Sequence, residues 1–280
     1  MNRPELRSPP EQPARAAKAQ DTNGKETAAM IRFENLRAGY DRVERLHGLS
    51  GAAPMGRLTA LIGPNGCGKS TLLKCAAGLL KPDGGEILLN GQPYARMPRK
   101  ELARQVAYMP QARLTPELPV EQLVAHGRYP HLKWGRRLSP DDRDIIRQAM
   151  ERTDTLKYAG RSVAALSGGE RQRVYLAMML AQQTPVMLLD EPTTYLDPGA
   201  QFRLMDMLRA LSGENRAVIV VLHDLALALE YADEVLLMQE GRLVRSGAPE
   251  AVYQSGDIAR VFDIDVSRTP EGKYVFSGKK

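Results

Sequence analysis

An α/β fold built on a mainly parallel sheet is what this sequence predicts, and three observations carry the prediction. Continuous apolar runs occur at VMLLD (Val186 to Asp190), AVIVVL (Ala217 to Leu222) and EVLLM (Glu234 to Met238). They lack the alternation of a half-exposed strand, as expected for strands covered on both faces. Between the first two, Leu204, Met205, Leu208 and Leu211 fall on one face of a helix, so strands and helices alternate. The third observation is GPNGCGKST, Gly63 to Thr71, which fits G-x-x-x-x-G-K-[ST] with Gly63, Gly68, Lys69 and Ser70 at the fixed positions.

Taken in order, residues 1 to 29 are rich in Pro, Ala, Gln and charge and are predicted to be disordered, since they offer too little apolar surface to offset the entropy of ordering. The fold is expected to begin at Met30, with a strand in IRFENLRAGY inferred from Ile31, Phe33 and Leu36 and ending at a turn around Tyr40. LTALI (Leu58 to Ile62) reads as a buried strand and LLKCAAGLL (Leu72 to Leu80) as a helix, which places Gly63, Pro64, Asn65, Gly66, Cys67, Gly68, Lys69, Ser70 and Thr71 at a strand-to-helix turn. There the glycines let successive N–H groups point inward, and the helix presents its positive end to an anion. Lys69 is expected to reach the β- and γ-phosphates and the Ser70 hydroxyl to ligate Mg²⁺.

PDGGEILLNGQ supplies a turn and a strand around Glu86 to Leu89, and QVAYMPQ (Gln105 to Gln111) another short strand. From Ala112 to Ala165 proline and charge rise, and helical spacing appears in VEQLVAHG and DDRDIIRQAMERT, which indicates a helical insert. No internal repeat is present.

Composition sets bounds. No apolar run approaches the roughly 20 residues a bilayer span requires, and the N-terminus has no apolar stretch of the kind that makes a secretory signal. The two cysteines, Cys67 and Cys75, fit no zinc spacing and are expected as reduced thiols in a cytosolic setting. Cys67, at a helix N-terminus beside Lys69, is expected to favour thiolate, the alternative being a small filler residue. A net charge of +6 permits contact with nucleic acid or anionic lipid, but the charges are interleaved, which reads as a mixed solvated surface.

Two further elements carry chemistry. Asp190-Glu191 ends a buried strand at the carboxyl edge of the sheet, where the phosphate loop also lies. Asp190 would hold hydrated Mg²⁺ and Glu191 would polarise an attacking water. LSGGERQRV (Leu166 to Val174) opens a helix with Ser167-Gly168-Gly169, a second anion site of backbone N–H groups. It is also a capping box, with Ser167 as cap and Glu170 at the third position.

In this order, the phosphate loop, Gln111, LSGGERQR, LLDEP, Leu196-Asp197 and His223 resemble an ATP-binding-cassette (ABC) ATPase over roughly Ile31 to Met238. The resemblance implies a P-loop NTPase fold with a parallel core, an antiparallel β part and a helical subdomain at about 112–183, within a domain at 30–240. Residues 241–280 would form a C-terminal strand and helix extension. It also implies two copies head to tail with two ATP between them, each phosphate loop closing on the partner's Ser167-Gly168-Gly169 turn. Gln111 would sense Mg²⁺ and water, His223 would contact the γ-phosphate, Asp197 would cross the dimer seam, and Tyr40 would stack on adenine. The plainer alternatives are a helix cap for His223 and a core position for Tyr40.

HGRYPH (His126 to His131) and TTYLD (Thr193 to Asp197) resemble, more narrowly, the ATPase subunits of ferric-siderophore, haem and cobalamin importers. Such a subunit works at the cytoplasmic face of the membrane, docked on integral membrane permease subunits and served indirectly by a substrate-binding protein. Arg128-Tyr129-Pro130-His131 and Lys133-Trp134-Gly135-Arg136-Arg137 are expected on the surface as the site of docking, the plainer alternative being a solvated loop beside the helical subdomain. No metal site is expected at His126 and His131, whose spacing suits no single helix face. A cassette acting on nucleic acid is disfavoured: the chain has one phosphate loop, and Thr71 to Leu166 is too short for a coiled-coil insertion.

Overall fold

The computed structural model describes residues 29–279 apart from 42, 113, 133–136 and 195. The expected N-terminal tail up to residue 28, the run from Lys133 to Arg136, and Tyr195 therefore lie outside the described residues.

β1 (Ala29–Tyr40) and β2 (Val43–Pro54) form an antiparallel pair. β3 (Leu58–Ile62) leads into the phosphate loop and α1 (Lys69–Ala76). β4 (Gly84–Leu89), β5 (Gln92–Pro93), α2 (Arg99–Gln105) and β6 (Val106–Met109) follow. Next come α3 (Val120–Ala125), a 3₁₀ segment at His126–His131, α4 (Pro140–Arg152) and α5 (Gly168–Gln182). β7 (Val186–Leu189), α6 (Pro198–Gly213), β8 (Ala217–Val221), α7 (Leu225–Tyr231) and β9 (Glu234–Gln239) complete the alternating part. The chain closes with β10 (Arg242–Gly247), α8 (Pro249–Gln254), α9 (Asp257–Phe262) and the hairpin β11 (Ile264–Arg268) and β12 (Tyr274–Gly278).

The central sheet runs β10-β9-β3-β8-β7-β6, with every neighbouring pair parallel except β10 on β9. A second sheet, β2-β1-β4-β5, is antiparallel. The central sheet separates two apolar clusters, which explains the unbroken apolar runs. Along β7, Met187 and Leu189 pack toward α5 and α6, whereas Val186 and Leu188 pack toward α1 and the antiparallel sheet. Each such side chain contributes about 1.5–3 kcal/mol of burial. Leu204, Met205, Leu208 and Leu211 are all buried on α6, as their spacing predicts.

Three local readings change. β2 is an added strand that the sequence does not signal, because VERLHGLSGAAP is polar and glycine-containing, and as an edge strand it pairs only with β1. In β1 the inward phase switches from Ile31 and Phe33 to Leu36 and Ala38. A register shift between Phe33 and Leu36, with Asn35 at φ 47°, supplies the extra residue that a bulge requires. The helix after the phosphate loop starts at Lys69 and stops at Ala76, not at Leu80, because the N–H groups of Gly78 and Leu79 turn back to the Cys75 and Lys74 carbonyls.

Candidate functional site

The carboxyl ends of β3, β6, β7 and β8 bring the predicted residues to one edge of the sheet. After β3 the loop turns through Gly63 at φ 155°, where a Cβ would lie 2.3 Å from the Met238 carbonyl oxygen. Gly68 at φ 104° caps α1, and a Cβ there would meet the Arg45 carbonyl at 2.9 Å. Only glycine fits both places. Asn65 and Gly66 lie exposed at the loop tip, while Cys67, Lys69 and Thr71 are buried. The Lys69 ammonium folds over its own loop and donates to the Gly63 carbonyl at 2.7 Å and the Pro64 carbonyl at 3.0 Å.

One expectation fails here. Burial pushes the Cys67 thiol up, and Lys69, whose Nζ is 3.9 Å from Sγ, does not reverse this. The thiol is protonated and enclosed, not an activated thiolate.

β7 delivers Asp190 and Glu191 to the same edge with opposite surroundings. Asp190 is 2% exposed, and burial raises its carboxyl above the ordinary range. Ser70 donates its hydroxyl to Oδ1 at 3.2 Å and Tyr108 donates to Oδ2 at 3.3 Å. Its own N–H donates to the Met109 carbonyl at 2.9 Å, which ties the end of β7 to β6. Glu191 adopts φ 50°, a left-handed conformation that costs a non-glycine residue about 1–3 kcal/mol and tends to occur at functional sites. Its carboxylate is held from both sides, by Gln111 Nε2 donating at 2.5 Å and by His223 Nε2 at 2.6 Å. The helix-cap alternative for His223 is excluded, because Asp224 caps α7 by accepting from the Leu227 N–H.

Ser70 and Asp190 suit Mg²⁺: both offer hard oxygen donors, 3.2 Å apart, and the buried carboxylate has no ion-pair cation among the described residues. The glycine-lined cradle suits a phosphate chain.

Tyr40 ends β1, is 41% exposed and has the Lys74 ammonium 5.5 Å from its ring centroid, so it is not a core residue. The Ser167 turn is a true capping box: Ser167 Oγ accepts from the Glu170 N–H, and Glu170 accepts from the Ser167 N–H at 2.8 Å. The latter bond holds the Glu170 carboxyl down at about 2. Gly168 stands in open space, and the bonds of Ser167 run within its own turn rather than to the phosphate loop. Asp197 caps α6, accepting from the Ala200 N–H at 2.9 Å.

A second expectation also fails. Arg128 is not a surface residue but 6% exposed, with Nε on Asp142 at 2.8 Å and one terminal nitrogen on the Ala181 carbonyl and Gln183 Oε1, both at 2.9 Å. The tight 3₁₀ turn at His126–His131 packs against α5 and carries the guanidinium inward. Tyr129 next to it is 56% exposed, and its ring lies 4.7 Å from that of His126. His131 bonds the Gln182 carbonyl at 2.9 Å. Sequence reasoning missed Tyr108. Its signal was a tyrosine in an otherwise apolar strand, three residues before Gln111, where a half-buried phenol needs a partner.

Residues 46–194 match the family described as ABC transporter. The chain is 43% identical over 237 residues to a petrobactin import ATP-binding protein of Bacillus anthracis, covering 84% of this chain and 87% of that one. It is 40% identical over 241 residues to the ferric enterobactin transport ATP-binding protein of Escherichia coli K12, covering 85% and 89%. A cobalamin import ATP-binding protein of Halobacterium salinarum is 42% identical over 215 residues, with 76% of this chain and 53% of that one covered. Among solved structures, cbiO1 of Clostridium perfringens, part of the cbiONQ ABC transporter complex, superposes with TM-score 0.72 at 30% identity over 83% of this chain and 94% of that one. A bacterial Atm1-family ABC exporter with ATP bound gives 0.70 at 28% identity over 83% and 41%.

Proposed function

This chain belongs to the ABC transporter family as an ATPase coupled to transport, and from that premise we propose that it energises import of an iron chelate, a ferric siderophore, through separate membrane subunits. The observation that carries the hydrolytic part is the pair of clusters at the end of β7. Ser70 and Asp190 form one, and Gln111, Glu191 and His223 the other. ATP would lie along the Gly63–Thr71 loop with adenine on Tyr40. Mg²⁺, held by Ser70 and Asp190 with Gln111 near, would supply charge neutralisation at the β- and γ-phosphates. Glu191 would take the proton of the attacking water, and His223 would orient the γ-phosphate.

The strained Glu191 is kept aimed by its two partners, so activation needs it to exchange one of them for water. Ser167, Gly168 and Gly169 would meet the partner copy's γ-phosphate, and Gly168, open to solvent, is free to do so. Asp197 would lie at that seam.

Import of an iron chelate is favoured by the names of the petrobactin and enterobactin relatives. Cobalamin is the second reading, favoured by the halobacterial relative. The fold does not separate import from export, since an exporter superposes as well as a part of the cbiONQ complex. No helix among the described residues is long and apolar enough to cross a membrane. As the ATPase subunit of an importer, the chain would sit peripherally, at the cytoplasmic face, on permease subunits fed by a substrate-binding protein. Tyr129, exposed on the 3₁₀ turn, remains the docking candidate, and Arg128 does not.

The test is to co-purify the chain with its permease and measure uptake of several ferric siderophores, haem and cobalamin in vesicles. Stimulation of ATPase activity and uptake by ferric siderophores alone is expected. Uptake of cobalamin without any siderophore would replace the substrate class. Unchanged complex yield for Tyr129→Ala would remove the docking assignment.

A further inference from the structure

We propose that Tyr108 is a positioning residue for Asp190, fixing the plane of the carboxylate assigned above to Mg²⁺; the inference rests on that assignment. β6 and β7 are parallel and in register, with Tyr108 beside Leu188. The phenol therefore reaches one strand across and two residues forward, to Oδ2 of Asp190. Ser70 takes Oδ1. A carboxylate rotates in a broad well about its terminal torsion, so a donor on one oxygen leaves the other free. One donor on each oxygen sets the plane.

Asp190 is almost fully buried and has no ion-pair partner among the described residues, while Lys69 is committed to the Gly63 and Pro64 carbonyls. Two neutral hydroxyls donate to the carboxylate directly, and the Lys74 ammonium acts on it only from beyond ion-pair distance. If Ser70 turned its oxygen to a cation, Tyr108 would be the side-chain donor that remains, on Oδ2, and Oδ1 would be available as a ligand. Val106, Ala107 and Met109 of the same strand are buried and apolar, so a phenylalanine ring suits position 108 and removes the hydroxyl alone. The strand then runs through Pro110 into Gln111, so one short segment orients Asp190 and restrains Glu191.

The test uses the full chain carrying Glu191→Gln, so that ATP persists, with Mn²⁺ as the probe, titrated by electron paramagnetic resonance in the presence of ATP. Outer-shell partners of a metal ligand typically change affinity by about 10–100-fold. Tyr108→Phe is accordingly expected to weaken Mn²⁺ by roughly 10-fold and to leave ATP binding in EDTA unchanged by calorimetry. With Glu191 intact, the Mg²⁺ concentration giving half-maximal ATPase activity should rise by a similar factor. Mn²⁺ affinity equal to the parent's, while Asp190→Asn still weakens it, overturns the role of Tyr108 alone. An equal loss of ATP binding in EDTA assigns Tyr108 to packing and overturns it as well. If Asp190→Asn binds Mn²⁺ as tightly as the parent, the metal assignment falls, and this inference with it.

Discussion

Removing the Arg128 side chain tests whether the helical part of the molecule is held by a buried ion pair. Arg128→Ala deletes three hydrogen bonds at once, to Asp142, the Ala181 carbonyl and Gln183. Asp142 then stays largely buried with Oδ1 unpaired, although the Ser139 N–H and hydroxyl still serve Oδ2 at 3.0 and 2.8 Å. Breaking a buried pair by removing one partner costs about 3–5 kcal/mol, and the surviving Ser139 bonds argue for the lower end. At about 2–4 °C per kcal/mol for a domain of this size, the melting temperature should fall by roughly 6–12 °C. Circular dichroism at pH 7 measures it. Adding Asp142→Asn to Arg128→Ala should recover part of the loss, because the orphaned charge disappears.

The pH dependence has a definite sign. The Ser139 bonds first, and Arg128 with them, hold the Asp142 carboxyl below its ordinary range. This contribution is complete above the unfolded value and is lost as pH falls through the depressed folded value. The difference between wild type and Arg128→Ala should therefore shrink as pH drops below about 4. A melting temperature within 2 °C of wild type at pH 7 would refute the burial argument and restore Arg128 as a candidate surface contact.

Glu191→Gln should bind ATP with wild-type affinity yet lose nearly all turnover, and an ATP-bound dimer should accumulate on size-exclusion chromatography; hydrolysis near the wild-type rate would reject Glu191 as the base. Tyr40→Ala should weaken ATP by about 1–3 kcal/mol if adenine stacks there, with GTP a fair substitute for ATP in wild type; unchanged affinity by calorimetry ends that assignment. Cys67 should label slowly with maleimide at pH 7, faster as pH rises toward its elevated value, and more slowly still with MgATP, as peptide mass spectrometry would show. Rapid labelling at neutral pH would mean the loop opens far more than its packing against Met238 and Arg45 implies.

What the sequence determined was whatever depends on short spacing. Gly63 and Gly68 are required by a backbone that tolerates no Cβ, so the loop could be read from residue types alone. The Ser167–Glu170 box was legible because its two bonds close within four residues. The parallel core was legible because strands buried on both faces cannot alternate.

What only the tertiary structure decided were contacts between residues far apart in the chain. The choice of His223 as a partner of Glu191, rather than a cap, depends on β7 and β8 lying side by side. The Tyr108 bond to Asp190 spans 82 residues, and the Arg128 bond to the Ala181 carbonyl spans 53. HGRYPH looked like surface because arginine usually is. Its guanidinium is inside because Asp142, Ala181 and Gln183, three groups from two other segments, converge to satisfy it, and no local pattern encodes that convergence. Cys67 turned for the same reason: sequence put a lysine beside it, but the surrounding chain removed the water that a thiolate requires.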